Sequence, residues 1–416
     1  MIFSEDLVKL SLEAESALSD KFKELDEISF KNTVKVMDSF RKHTVNETYF
    51  APTSGYGYGD RGRDTLDLIY ADVFGSEAAF VRHNIVNGTQ ALAIGLYGLL
   101  RPGDTLLSVA GKPYDTLEEV IGIAGEKGNG SLADFGVAYR QTELTLDGNF
   151  DYSAIEKELT PDVKVVFVQR SKGYLNRKTL SVSQIGELVK FVKARSNAYI
   201  YVDNCYGEFV EELEPTDVGV DLMAGSLIKN PGGGMAECGG YLAGSAKAVE
   251  LASYRLTTVG VGCEVGATMN QNKSLYKGFF YAPHTVTQAL KTAAFAAYIF
   301  SKLGFFVEPD FEAKRYDIIQ MVTLNKPEYL CAFCEGIQAG SPVDAHLTPE
   351  PWDMPGYQHK VIMAAGTFTS GASIELSADG PMKEPYNVYF QGALTYESGK
   401  LGILSAAQKL IDAMNK

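Results

Sequence analysis

The chain has 416 residues, enough for two or three domains, and its 45% hydrophobic, 22% charged and 11% aromatic content is that of a globular protein. A mini-protein, a disordered chain and a coiled coil are excluded as the main architecture. The net charge of −14 repels phosphate backbones and anionic lipid, so neither nucleic acid nor a membrane is expected as a partner. Five cysteines are too few for a disulfide framework, and the opening residues are acidic where an export signal is basic, so a cytoplasmic protein is expected.

Leu7, Leu10, Ala14, Ala17, Leu18, Phe22 and Leu25 recur at helical spacing, which predicts one or two amphipathic helices over 7–36. Residues 48–62 form a shaped loop, because Gly55-Tyr56-Gly57-Tyr58-Gly59-Asp60-Arg61-Gly62 suits neither helix nor strand. Strands predicted at 78–83, 105–110, 136–144, 163–170, 198–204, 222–229 and 239–244 then alternate with helices at 89–100, 114–125, 183–194 and 246–254. That alternation predicts an α/β fold with a mostly parallel seven-stranded sheet, helices on both faces and ligands outside the carboxyl ends of the strands. A long apolar helix over 286–303 leads into a smaller α+β domain with strands at 329–333, 361–365 and 372–376, a loop-rich stretch at 340–356 and a closing helix at 406–414. The expected division is 1–62 for the N-terminal helices and aromatic loop, 63–285 for the large domain and 286–416 for the small one.

Gly57-Tyr58-Gly59-Asp60-Arg61-Gly62 spells a dinucleotide fingerprint, but no buried strand precedes it, so nicotinamide and flavin are not expected. Asn87-Gly88-Thr89-Gln90 lies between a strand and an apolar helix, where it serves either as a plain cap or as a phosphate site. Asp203 closes the apolar run Tyr199-Ile200-Tyr201-Val202, as a turn residue or as a carboxylate at the sheet mouth. Ser226-Leu227-Ile228-Lys229 ends a strand in a lysine before Asn230-Pro231-Gly232-Gly233-Gly234, giving either a surface lysine or one with room for a planar ligand. A lysine, an aspartate and a helix start with a serine are the groups that pyridoxal phosphate needs. Cys331-Ala332-Phe333-Cys334 has no second cysteine pair, and His43, His83, His284, His346 and His359 lack metal spacing, so no metal is expected. Trp352 is assigned to packing, and residues 386–392, which resemble a protease tag, are read as native chain.

The order and spacing of the phosphate turn, Asp203 and Lys229 resemble those of fold-type I pyridoxal-phosphate enzymes, in the cystathionine/methionine lyase branch. The strings at 56–61, 87–90, 225–234 and 278–283 are similar to its aluminium resistance protein or methionine gamma-lyase-like family, and the resemblance runs nearly the whole chain. It implies a fold-type I transferase-like fold, pyridoxal 5'-phosphate as cofactor and an amino acid as the small-molecule substrate. Carried onto this sequence, it implies Lys229 as the covalent carrier of the cofactor and Asp203 on the ring nitrogen. Gly88, Thr89 and Ser226 would hold the phosphate, and Tyr114 would stack on the ring. Tyr58 and Arg61, in the aromatic loop, would reach the neighbouring subunit's phosphate, making the active unit at least a dimer and in this branch a homotetramer.

The expected reaction is elimination of a sulfur-bearing group, of the methionine gamma-lyase or cystathionine beta-lyase kind, with Lys229 as base and Tyr56 or Tyr114 assisting proton transfer. Its rivals are aldol cleavage, transamination or racemisation on the same cofactor, or a non-enzymatic metal-tolerance role. The branch anchors the substrate carboxylate with an arginine in the small domain, yet no arginine follows Arg315. Arg170, ending a predicted strand of the large domain, is the expected substitute, with backbone amides around Thr367 as helpers.

Overall fold

A computed structural model describes residues 3–175, 177–354 and 359–416. In chain order the elements are α1 (Glu5–Ala17), α2 (Ser19–Lys42), α3 (Arg61–Val73), β1 (Ala78–Arg82), α4 (Gly88–Leu99), β2 (Thr105–Ser108), α5 (Asp115–Ile121) and β3 (Ala138–Gln141). There follow α6 (Tyr152–Glu158), β4 (Val163–Gln169), α7 (Val182–Lys193), β5 (Tyr199–Asp203), β6 (Leu222–Ser226), β7 (Gly240–Gly244), α8 (Ala246–Leu256) and α9 (Asn272–Lys302). The chain ends with β8 (Phe306–Glu308), β9 (Gln320–Thr323), α10 (Pro327–Ala339), β10 (Val361–Ala364), β11 (Ser377–Pro381), β12 (Asn387–Gln391) and α11 (Tyr396–Met414).

Two compact units result, one of residues 33–227 and 235–280, the other of residues 1–32, 228–234 and 281–416. The first holds a seven-stranded sheet in the order β1-β7-β6-β5-β4-β2-β3. Only β7 runs against the rest, since it pairs antiparallel with both β1 and β6 while β2 to β6 are mutually parallel. The central strands are buried along nearly their whole length, as continuous Val, Ile and Phe runs require when both faces are covered. Helix starts are set by side-chain caps: Asn87 for α4 and a reciprocal Ser181–Gln184 box for α7.

The second unit holds a five-stranded antiparallel sheet in the order β10-β11-β12-β9-β8. The N-terminal helix belongs with it, because Leu7, Ala14 and Leu18 enter the same core as Phe295, Ile299, Phe333 and Leu410. Its surface is tied down by Lys400 to Glu15 at 2.8 Å and Lys291 to Asp26 at 2.7 Å. This differs from the expected segmentation, which put residues 1–62 together.

Two predicted strands of the small domain are absent. Residues 329–333 lie inside α10, where Leu330, Phe333, Cys334 and Ile337 bury one helical face after Pro327 opens the first turn. Residues 372–376 are turn, and β11 starts just after them. Residues 386–392 contain β12, an inner strand of the sheet, as native chain should. The loop-rich stretch is irregular from 340 to 354, and its last two positions lie outside the described residues. Trp352 pairs with Val361 through its backbone, but its side chain is exposed instead of packed in the core. No helix among the described residues is long and apolar enough to cross a membrane.

Candidate active site

Asp203 is the last residue of β5 and Ser226 the last of β6, while Gly88 opens the helix that follows β1. A Cβ built on Gly88 would stand 3.3 Å from Cys205 Sγ and 3.5 Å from Ser226 Cβ, so the start of α4 packs directly against the loop after β5 and the end of β6. Glycine permits that close approach. Asn87 Oδ1 accepts from the Gln90 N–H at 2.8 Å, and Gln90 Oε1 from the Val86 N–H at 2.6 Å. Beside this cap, the Ser226 hydroxyl is buried and has no hydrogen-bond partner among the described residues. Such a group costs about 1–3 kcal/mol unless something supplies a partner. A hydroxyl donor next to a helix N-terminus is what a phosphate accepts. Thr89 Oγ1 lies 2.6 Å from Thr116 Oγ1, joining the first turns of α4 and α5.

Asp203 is buried and accepts from the Cys205 N–H at 3.0 Å, which turns its carboxylate back over the strand end. Burial, then Asp203 and Cys205, push the Tyr201 hydroxyl well above the usual tyrosine range. That hydroxyl stays a donor, giving its proton to the Leu92 carbonyl at 3.1 Å and fixing α4 on the sheet. Gln169 is the register partner of Asp203. The Tyr114 ring lies near it: a Cβ on Gly173 would meet Tyr114 Cδ2 at 3.0 Å and Gln169 Nε2 at 3.2 Å. Sequence reasoning missed both Gln169 and Cys205, and the glycine contacts are the signal that finds them.

β6 ends at Ser226, so Lys229 does not sit on the predicted strand. It precedes a short turn of 3-10 helix, Asn230–Gly232, whose Gly232 N–H donates to the Lys229 carbonyl at 3.2 Å. Thr285 of α9 donates to the Gly233 carbonyl at 3.2 Å, and Gly234 packs on Leu394, so the segment after the lysine is held on its own unit.

Arg170 is fully buried and donates four hydrogen bonds: to the Leu180 carbonyl at 3.3 Å, Asn204 Oδ1 at 2.8 Å, the Gly207 carbonyl at 3.0 Å and Glu211 at 2.8 Å. Glu214 lies 3.7 Å from it. The guanidinium expected to anchor the substrate is thus engaged by the protein itself. The amides beside Thr367 are engaged too, because Phe368 and Thr369 donate to the Glu375 carboxylate at 2.6 and 2.9 Å. Thr367 itself donates to the Thr369 carbonyl at 2.8 Å.

The aromatic loop is shaped by two residues that sequence reasoning passed over. Asp60 accepts from the Arg63 N–H, Thr53, Thr268 and Asn272, and these bonds outweigh burial and hold its carboxyl below the usual range. Arg63 reaches back to the Gly57 carbonyl at 2.7 Å and the Gly266 carbonyl at 3.0 Å. Tyr56 and Tyr58 are stacked with centroids 5.6 Å apart, and they stand 76% and 68% exposed. Arg61 is exposed as well, over the Tyr49 ring at 5.3 Å.

A hydroxyl without a partner among the described residues beside a helix start, a buried carboxylate at the end of the neighbouring strand β5 and a tyrosine ring near it fit a phosphorylated, electron-poor ring. No group of three metal-ligating side chains is placed to hold a metal ion among the described residues.

The methionine gamma-lyase family model matches residues 7–411. YnbB of Bacillus subtilis strain 168, a protein of uncharacterized function, is 54% identical over 97% of this chain and 96% of its own. The crystal structure of a carbon-sulfur lyase involved in aluminum resistance from Clostridium novyi NT superposes with a TM-score of 0.94 at 48% identity, covering 97% of this chain and 96% of that one. The pyridoxal-5'-phosphate-dependent protein YhfS of Escherichia coli shares the fold, with a TM-score of 0.62 at 18% identity over 94% of this chain and 97% of that one. The chain belongs to the methionine gamma-lyase family, whose members are lyases that use pyridoxal 5'-phosphate.

Proposed function

We propose that the protein is a carbon-sulfur lyase that removes a sulfur-bearing group from a sulfur amino acid, working as a homo-oligomer. The observation that supports this reading is the buried Ser226 hydroxyl beside Gly88, without a hydrogen-bond partner among the described residues and three positions before Lys229 in the chain. When bound, pyridoxal phosphate supplies an electron sink for negative charge at the substrate's alpha carbon. Gly88, Thr89 and Ser226 would hold the phosphate, with the dipole of α4 behind them. Asp203 would keep a proton on the ring nitrogen through its charge, and Tyr114 would cover a ring face. Lys229 takes the proton from the alpha carbon, and Tyr56 or Tyr114 passes a proton to the departing sulfur.

The exposure of Tyr56, Tyr58 and Arg61 favours a role outside their own subunit, as ligands to a neighbouring site. The choice of sulfur chemistry rests on the Clostridium novyi relative's name and on the family. The test is product analysis with methionine, cystathionine and cysteine in turn. Release of a 2-oxo acid together with a thiol or sulfide supports the reading. Amino-group transfer, aldol cleavage or racemisation without loss of sulfur would replace it.

A further inference from the structure

Four of the five cysteines have an ordinary structural setting. Cys334 is in the core of the small unit, with Sγ 3.8 Å from the Ala378 carbonyl. Cys238, Cys263 and Cys331 are half-buried, and burial raises each of their thiols above the usual range. Cys205 is buried as well, but it stands in a different place. It follows Asp203 by two positions at the carboxyl end of β5, and its Sγ lies 3.3 Å from where a Cβ of Gly88 would be. The same glycine faces Ser226, whose buried hydroxyl lacks a partner among the described residues. The thiol, the helix start and the unsatisfied hydroxyl therefore flank one spot.

We propose that the Cys205 thiol forms part of the wall against which pyridoxal phosphate binds, so that cofactor occupancy and modification of this thiol exclude one another. The proposal rests on the reading of Gly88 and Ser226 as the phosphate cradle. The backbone N–H of Cys205 is already committed to the Asp203 carboxylate, so any group added to Sγ is placed by a fixed backbone. The missing side chain at Gly88 leaves the space beside Sγ open to such a group. An adduct on Sγ thus projects into the cradle. It keeps the enzyme empty, while bound cofactor covers the sulfur.

The experiment uses iodoacetamide on the full-length protein, stripped of cofactor or loaded with it. In the labelling step Cys205 Sγ forms a bond to the reagent's methylene carbon, iodide leaves and the thiol proton passes to buffer. Peptide mass spectrometry reads the extent at each cysteine, and the yellow colour reads loading. With cofactor about tenfold above its Kd, labelling of Cys205 is expected to slow about tenfold, as expected for a site reached only when empty. Labelling of Cys238, Cys263 and Cys331 should not change. Stripped protein labelled at Cys205 should fail to reload. In Cys205→Ala, which keeps the other four thiols, loading with and without iodoacetamide should be equal. Equal labelling of Cys205 in both forms, no labelling in either, or normal reloading of the labelled protein would overturn the proposal. Ser226→Ala separates the two levels. If this variant weakens cofactor binding while Cys205 of the loaded parent protein stays unprotected, the thiol inference alone fails. If it binds cofactor normally, the cradle itself is misplaced.

Discussion

Arg170 and Glu211 stand 2.8 Å apart with the arginine side chain entirely out of solvent, and Glu214, equally buried, lies 3.7 Å from the same guanidinium. Removing one member of such a set leaves charge buried without compensation, which costs about 3–5 kcal/mol. Arg170→Met is therefore expected to lower stability by that order, measured by chemical denaturation with cofactor bound. A change below about 1 kcal/mol, accompanied by a raised KM for amino acids, would return Arg170 to the role of substrate anchor.

Glu214 sets a pH dependence on the same cluster. Burial raises its carboxyl above the usual range despite Arg170 and the donors from Phe209 and Asn204. A carboxyl raised in the folded state keeps a proton that the unfolded chain has already released. Its contribution therefore favours the fold most below the usual carboxylate pKa, and it declines as pH rises through the folded value. Glu214→Gln should flatten that part of the profile, seen as a smaller fall in Tm than in the parent as pH rises above the usual carboxylate range. An identical slope in both proteins would mean that Glu214 is charged in the fold throughout.

Asp203→Asn keeps the shape at the end of β5 and the bond from the Cys205 N–H but removes the charge. Turnover is expected to fall roughly 10²-fold or more, a few kcal/mol in the barrier. Single-turnover kinetics should place the loss in the chemical step. Unchanged kcat would show that another acid serves the cofactor ring.

Much of this arrangement is legible in the sequence, and the gaps have physical causes. The strand ends at Asp203 and near Lys229 show themselves because apolar runs stop abruptly there at polar or glycine-rich turns. The run at 329–333 is ambiguous because a short apolar stretch fits either period, and only Pro327 and the longer spacing to Ile337 mark the helix. The partners of Arg170 come from a loop about forty positions further on, so no local pattern separates a buried ion pair from a ligand site. Asp60 and Arg63 are readable as an N-cap spacing, but their bonds to Thr268 and Gly266 depend on the fold. The start of α4 is half legible: Asn87-Gly88-Thr89-Gln90 spells a helix start, whereas its contact with Ser226 and Cys205 exists only once β1, β5 and β6 are assembled.

The exposed aromatic loop yields a complementation test. Arg61→Ala and Lys229→Ala subunits, each inactive alone, are expected to regain activity when mixed, because one site per hybrid pair would then be intact. Activity is measured after hybrids have been demonstrated by native mass spectrometry. No recovery in proven hybrids would mean that each subunit completes its own site.

The most direct measurement is the location of the cofactor's covalent bond. Purified protein should be yellow, lose that colour on borohydride reduction, and yield a phosphopyridoxyl peptide carrying the modification on Lys229. Lys229→Ala should remain folded and yield none. Lys172 is the instructive alternative, since it is buried two positions after Arg170 at the carboxyl side of β4. Modification of Lys172, or of Lys273, with Lys229 unmodified, would contradict the account.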